Sequence, residues 1–158
     1  MSEERSYSIR MACEADWEEA MALAWRTFLQ FEAKDYKAEG IESFRDFISD
    51  QWLKKMFIKG EYLMMLALDG QKIIGLITLR SGCHISLLFV DGEYHRQGVG
   101  SSLVGALGSY LTEETDIRYL TVNGAPYAVE FYHKIGFWDL AGQQEKDGIL
   151  YTPMRMNI

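Results

Sequence analysis

The sequence predicts a mixed α/β domain in which one sheet carries helices packed on it, and three observations support this. The apolar run Tyr62 to Leu68 is followed by Asp69-Gly70 and by a second run, Lys72 to Arg80, which is the pattern of an antiparallel hairpin. Cys83 to Val90, the polar stretch Asp91 to Gln97, a helical stripe through Val99, Leu103, Val104, Leu107 and Leu111, and Arg118 to Val122 then read as strand, loop, helix and strand. The 158 residues contain no internal repeat, low-complexity tract or Pro/Gly/Ser linker, so 1–158 is read as a single domain.

The remaining elements follow in chain order. Tyr7 to Met11 alternates around Ile9 and Met11, as a short first strand does. From Glu14 the period changes: Trp17, Ala20, Met21, Ala24, Trp25, Phe28 and Leu29 recur at three- and four-residue steps, which predicts a long amphipathic helix. Glu32 to Gly40 is a polar break ending in glycine. Beyond it Ile41, Phe44, Phe47, Ile48 and Trp52 repeat the helical spacing. Cys83 to Val90 is apolar enough to predict a central strand buried on both faces. Ala125 to Ile135 predicts a further helix, with Pro126 in its first turn and Gly136 stopping it. Phe137 to Leu140 and Ile149 to Met156 flank the polar turn segment Gly142 to Gly148 and predict a closing hairpin.

Composition excludes several classes of function. Lys plus Arg number 16 against 23 for Asp plus Glu, a formal charge of −7, which does not suit a phosphate-neutralising surface, so no nucleic-acid partner is expected. The longest apolar stretch, Tyr62 to Leu68, is far short of the roughly 18–20 residues a membrane span needs. Met1 to Arg5 lacks a basic flank leading into an apolar core, so a cytoplasmic protein with no membrane partner is expected. Cys13 and Cys83 stand apart from any CxxC or Cys/His spacing, and His84, His95 and His133 form no HExxH pattern, so no metal is expected.

The chemistry concentrates in Leu88 to Leu103, where a buried strand enters a glycine-bearing loop and then a helix. Gly98 and Gly100 let the backbone approach a ligand closely, and the first N–H groups of the helix have no intrahelical acceptors. That combination binds phosphate, although two glycines in a loop also serve as a bare turn. GxGxxG fails because position 103 is leucine, and no GxxxxGK[ST] occurs. His95-Arg96-Gln97-Gly98-Val99-Gly100 resembles the Q/R-x-x-G-x-G/A signature of the GCN5-related N-acetyltransferase (GNAT) superfamily, with His95 in place of the usual first Gln or Arg. Asn123 to Val129 followed by Phe131-Tyr132-His133-Lys134-Ile135-Gly136-Phe137 resembles the family's fifth strand, its helix and its terminal FYxKxGF segment.

The resemblance covers nearly the whole chain. It implies a mostly antiparallel mixed sheet of about six or seven strands, splayed between the fourth and fifth, with about four flanking helices. It also implies acetyl-CoA as co-substrate: its pyrophosphate on Arg96, Gln97, Gly98, Val99, Gly100 and Ser101, its arm near Phe89 and Val90, and Asn123 holding a water or a cofactor amide. Arg96, His133 and Lys134 would approach the CoA phosphates. Asn123 also reads as a cap or turn residue before Ala125.

The reaction implied is acetyl transfer to a primary amine by direct attack, the acceptor being a small molecule, a peptide or a protein. The family also implies a homodimer. Transfer needs a deprotonated amine and an acid for the departing thiolate. Tyr132 occupies the family's acid position and otherwise reads as a helix-face aromatic with a wet tip. His84 falls where some members carry a glutamate base, and otherwise reads as a hydrogen-bonded strand residue. Glu32, Asp35 and Tyr36 lie where the family builds its acceptor pocket, though loop carboxylates are ordinarily solvated. The rival reading is a non-catalytic acyl-CoA-binding module serving regulation or interaction.

Overall fold

The computed structural model describes residues 6–158; the segment Met1 to Arg5, read above as lacking a leader, lies outside them. The strands are β1 (Ser8–Met11), β2 (Leu63–Asp69), β3 (Lys72–Arg80), β4 (His84–Val90), β5 (Tyr119–Gly124), β6 (Trp138–Asp139), β7 (Gln144–Lys146) and β8 (Ile149–Asn157). The helices are α1 (Trp17–Phe31), α2 (Ala38–Ile48), α3 (Gln51–Ile58), α4 (Val99–Glu114) and α5 (Val129–Ile135). The sheet runs β1-β2-β3-β4-β5-β8-β6, with β7 paired to β8 off that path. Every pairing is antiparallel except β4 with β5. The predicted mixed, mostly antiparallel sheet is therefore present.

Two apolar layers cover the sheet. One face packs on α1, α2 and α3 through Trp17, Leu23, Phe28 and Leu53, and the other packs on α4 and α5 through Leu103, Leu107 and Tyr132. The buried stripe of α1 is rotated from the predicted one. Leu23 and Thr27 are inside, whereas Trp25 is half-buried and Leu29 is exposed. Thr27 is accommodated because its hydroxyl donates to the Leu23 carbonyl at 2.8 Å. The predicted second helix is two helices. Asp50 accepts the Trp52 N–H at 2.8 Å as the N-cap of α3, so the chain turns at Ser49-Asp50 and leaves Trp52 64% exposed.

The β2–β3 turn forms at the predicted place, with Gly70 carrying the positive φ of +60° and Asp69 still within its strand. β4 is not buried on both faces throughout. Ile85, Leu87 and Phe89 are buried, while His84, Ser86, Leu88 and Val90 are half-buried. The register steps from Thr78↔Leu87 to Leu79↔Ile85, making Ser86 the extra residue of a β-bulge. β4 pairs with β5 at His84↔Thr121 and Ile85↔Val122 only, after which the two strands part. That parting is the splay between the fourth and fifth strands.

At the C-terminal end, α5 begins at Val129, later than predicted, because the Ala128 N–H closes a turn on the Ala125 carbonyl at 2.8 Å. Gly136 ends the helix at φ +117°. The segment read as turn contains β7, an all-polar strand joined to β8 through Asp147 (φ +54°) and Gly148 (φ +80°), two positive φ values as in a type I′ turn. The hairpin tip docks on the start of α2. The Lys37 N–H donates to the Gly148 carbonyl at 3.3 Å, and a Cβ on Gly40 would collide with that carbonyl oxygen. Gly40 thus lies inside α2, held there by close backbone approach.

Candidate active site

The loop between β4 and α4 is anchored from several sides. Asp91 accepts from the Glu93 N–H at 3.0 Å and pairs with Arg26 of α1 at 2.9 Å. The Tyr94 hydroxyl donates to Asp69 at the β2–β3 turn, and Ser102 lies 2.8 Å from the Tyr7 hydroxyl. His95, the departure from the signature, has its Nε2 at 2.7 Å from the Val90 carbonyl oxygen, which makes this nitrogen the donor. Its ring packs on Phe31 at 4.5 Å. The glycine positions have distinct causes. Gly98, at φ +80°, is the left-handed N-cap of α4, and Gly100 sits so close to the Phe131 ring that a Cβ there would press on it at 3.0 Å.

Strand geometry determines which main-chain groups face the slot. The Asp91 N–H donates to the Ile74 carbonyl of the β3 side at 2.8 Å, and in an antiparallel ladder alternate residues point to the same neighbour. The Phe89 N–H and C=O therefore face β3, while those of Leu88 and Val90 face the gap toward β5. Phe89 offers the slot its side chain; the Val90 carbonyl is already engaged by His95.

Two cavities open along this slot. The first, about 590 Å3, contains Phe89, Val90, Arg96, Gly98, Val99, Gly100 and Ser101 in its walls, with Lys134 beside them. The second, about 450 Å3, lies between β4, β5, α2 and the β7–β8 hairpin and includes Asn123. The two share Glu32, Leu88, Phe89, Ala128 and Tyr132. Of the other residues singled out, Gln97 turns its amide back to the Glu93 carbonyl at 3.2 Å, and His133 turns to Asp139 at 2.7 Å. Asn123 precedes a turn, with α5 capped five residues later at Ala128. His84 lies outside both linings, with Nδ1 2.8 Å from the Thr121 hydroxyl; burial and then the charge of Arg80 lower its pKa.

Glu32, expected at the acceptor pocket but with no catalytic role, stands in a setting that differs from that of a solvated loop carboxylate. It follows the last residue of α1, where helix carbonyls disfavour negative charge, and its carboxyl lies at the junction of both cavities. Burial, aided by Asp35, pushes its pKa up to about 7. Burial likewise pushes the Tyr132 phenol far above its ordinary value, with Glu32 and then Tyr36 adding to the effect. Tyr36 is raised by burial, Glu32 and Asp35. The three groups therefore form one coupled cluster. The sequence signal for Glu32 is a carboxylate set between Phe31 and Tyr36 in a break that both flanking helices cover with aromatics.

This arrangement can hold an extended thiol cofactor with a diphosphate. The α4 N-terminus and its glycines offer close backbone approach, Arg96 and Lys134 supply positive charge, and Leu88 and Val90 turn main-chain groups into the slot. Among the described residues, no group of three or more His, Cys, Asp and Glu side chains is placed to hold a metal ion, and no helix is long and apolar enough to cross a membrane.

Comparison with known proteins agrees with the geometry. Residues 32–158 match the family described as acetyltransferase (GNAT) domain. The chain is 26% identical over 142 residues to YafP of Escherichia coli K12, an uncharacterized N-acetyltransferase, spanning 89% of this chain and 88% of that protein. In fold it resembles a GCN5-related N-acetyltransferase from Rhodopseudomonas palustris (TM-score 0.84, 22% identity, 100% and 99% of the two chains). It also resembles the PaiA N-acetyltransferase of Thermoplasma acidophilum, solved in complex with coenzyme A (TM-score 0.76, 21% identity, 98% and 100%). A chain whose loop, splayed strands and sequence all match in this way belongs to the GNAT family and is an N-acetyltransferase.

Proposed function

We propose that this domain transfers the acetyl group of acetyl-CoA to a primary amine by direct attack, with Glu32 accepting the amine's proton and Tyr132 protonating the departing sulfur. The observation that carries this reading is the shared wall: Glu32 and Tyr132 border both the glycine-loop cavity and the second cavity. Acetyl-CoA supplies an activated acetyl thioester. The C–N bond forms as the C–S bond breaks; one proton passes to Glu32 and one leaves Tyr132, so the charges balance. With a pKa near 7, Glu32 is half ionised at neutral pH and suited to act as a base. The raised pKa of Tyr132 keeps its hydroxyl protonated before the reaction, and transfer of the amine's proton to Glu32 removes the negative charge that opposes its ionisation as the thiolate departs. His84 is replaced in the base role because its imidazole is engaged with Thr121 outside the cavities.

On this proposal the cofactor phosphates meet Arg96, Ser101, Lys134 and the backbone of Gln97 to Gly100, while Asn123 faces the acceptor side. Thermal shift with acetyl-CoA, CoA and NADH tests the cofactor part. Saturation at one hundred times the dissociation constant adds about 2.7 kcal/mol, a rise of several degrees with both CoA species and none with NADH. Release of CoA thiol over a panel of primary amines tests transfer. Binding without turnover of any amine would favour the non-catalytic acyl-CoA-binding module instead.

A further inference from the structure

The second cavity contains positive charge that transfer chemistry does not use. Arg80, the last residue of β3, and Lys146, the last residue of β7, both line it. Neither forms an ion pair among the described residues, whereas Lys37, the N-cap of α2, is paired to Glu145, the neighbour of Lys146, at 2.7 Å. The Arg80 charge reaches His84, whose pKa burial and then Arg80 lower, and it opposes the rise that burial imposes on the Tyr62 phenol. Between this end and Glu32 the wall is aromatic and aliphatic, through Phe28, Phe44, Phe47 and Leu87. The cavity therefore combines an apolar wall, two cations with Asp147 beside Lys146, and the proton-accepting Glu32.

We propose that the acceptor is an amine whose chain also ends in a carboxylate, with the carboxylate held by Arg80 and Lys146 and the amine at Glu32. This rests on the transferase reading above. A planar guanidinium matches a carboxylate in a two-pronged contact, and Lys146 adds a point charge from the hairpin. The spacing is set by the sheet. Arg80 pairs with His84 and Leu76 pairs with Phe89, which like Glu32 borders both cavities, so four steps of β3 separate Arg80 from the level of that junction, about 13 Å at the usual rise. That distance, less the reach of the arginine, suits a spacer of several carbons better than the single carbon of an α-amino acid.

The test compares 6-aminohexanoate, hexylamine and glycine as acceptors, together with calorimetric titration of 6-aminohexanoate into the CoA-bound protein. The expected order has 6-aminohexanoate at least about tenfold above hexylamine in kcat/KM and above glycine, with measurable binding. Arg80→Gln and Lys146→Gln should each weaken 6-aminohexanoate binding and raise its KM, while leaving hexylamine turnover and acetyl-CoA affinity unchanged. Equal rates for 6-aminohexanoate and hexylamine, or equal losses for both in Arg80→Gln, would overturn the carboxylate assignment alone. Turnover of none of the three while acetyl-CoA still binds would also overturn it. Failure of the wild-type protein to bind acetyl-CoA would overturn the transferase reading along with it.

Discussion

Glu32, one residue beyond α1, and Tyr132, inside α5, come from opposite faces of the sheet and meet at the slot where β4 and β5 part, each bordering both cavities. Negative charge on Glu32 makes the Tyr132 phenol harder to ionise. The pairing thus keeps the phenol protonated while Glu32 is ionised, and a proton arriving on Glu32 removes the charge that opposes ionisation of Tyr132.

Replacing Tyr132 by Phe should preserve the packing of the ring against Phe131 and Phe137, each at 5.2 Å, and remove only the hydroxyl. The expected outcome is a kcat lower by about 100-fold, within the range general acids contribute, with the acetyl-CoA dissociation constant and melting midpoint little changed. Steady-state thiol release together with calorimetry checks the split between the two.

Ser101 gives a cleaner test of the loop than either glycine, because Gly98 sits at φ +80° and Gly100 against Phe131, so changing them strains the fold. Ser101 is exposed at the third position of α4, where a carboxylate complements the helix dipole by about 0.3–1 kcal/mol. Ser101→Glu should therefore keep or slightly raise the midpoint of the free protein while weakening acetyl-CoA binding tenfold or more by charge repulsion. A thermal-shift titration reads both effects in one experiment.

Gly40→Ala drives a Cβ into the Gly148 carbonyl and should lift the β7–β8 tip off α2. A loss of about 1–3 kcal/mol is expected from overpacking, with a raised KM for the amine and an unchanged dissociation constant for acetyl-CoA, whose cavity the hairpin does not line. Denaturant melts and the two binding constants together distinguish hairpin displacement from general unfolding.

Glu32 also carries a cost in stability. Its folded pKa of about 7 exceeds the ordinary 4.5, so the native state holds a proton that the unfolded chain releases between those values. The group's contribution is full below about pH 4.5 and declines as the pH rises through 7. Glu32→Gln should accordingly melt higher than the wild-type protein at pH 8 and no higher at pH 4.5. Paired melting curves across this range check the sign.

What the sequence made legible is what local chemistry encodes. Asp69-Gly70 placed the central hairpin, the Gly98-Val99-Gly100 loop placed the start of α4, and Gly136 placed the end of α5. The misreadings arise where one local signal masks another. The aromatic spacing of Ile41 to Trp52 hid the Asp50 cap, and the polarity of Gln144 to Lys146 hid a strand that pairs on one edge. The Ser86 bulge, a register property of two strands, has no signature within either. Glu32 was legible in position and not in environment, since Leu88, Phe89 and Tyr132, with which it shares the cavity walls, lie far along the chain. His84 stands where the family resemblance implies a base, and the hydroxyl of Thr121 that engages it lies 37 residues away along the chain.

The most direct test is the ratio of kcat/KM between wild type and Glu32→Gln from pH 5.5 to 8.5, using the best amine acceptor, because the ratio cancels ionisation of the amine itself. If Glu32 is the base, the ratio rises about tenfold per unit below pH 7 and levels off above it, at 100-fold or more. A ratio that stays flat across the range, or lies near one throughout, would contradict the placement of proton transfer at the junction of the two cavities.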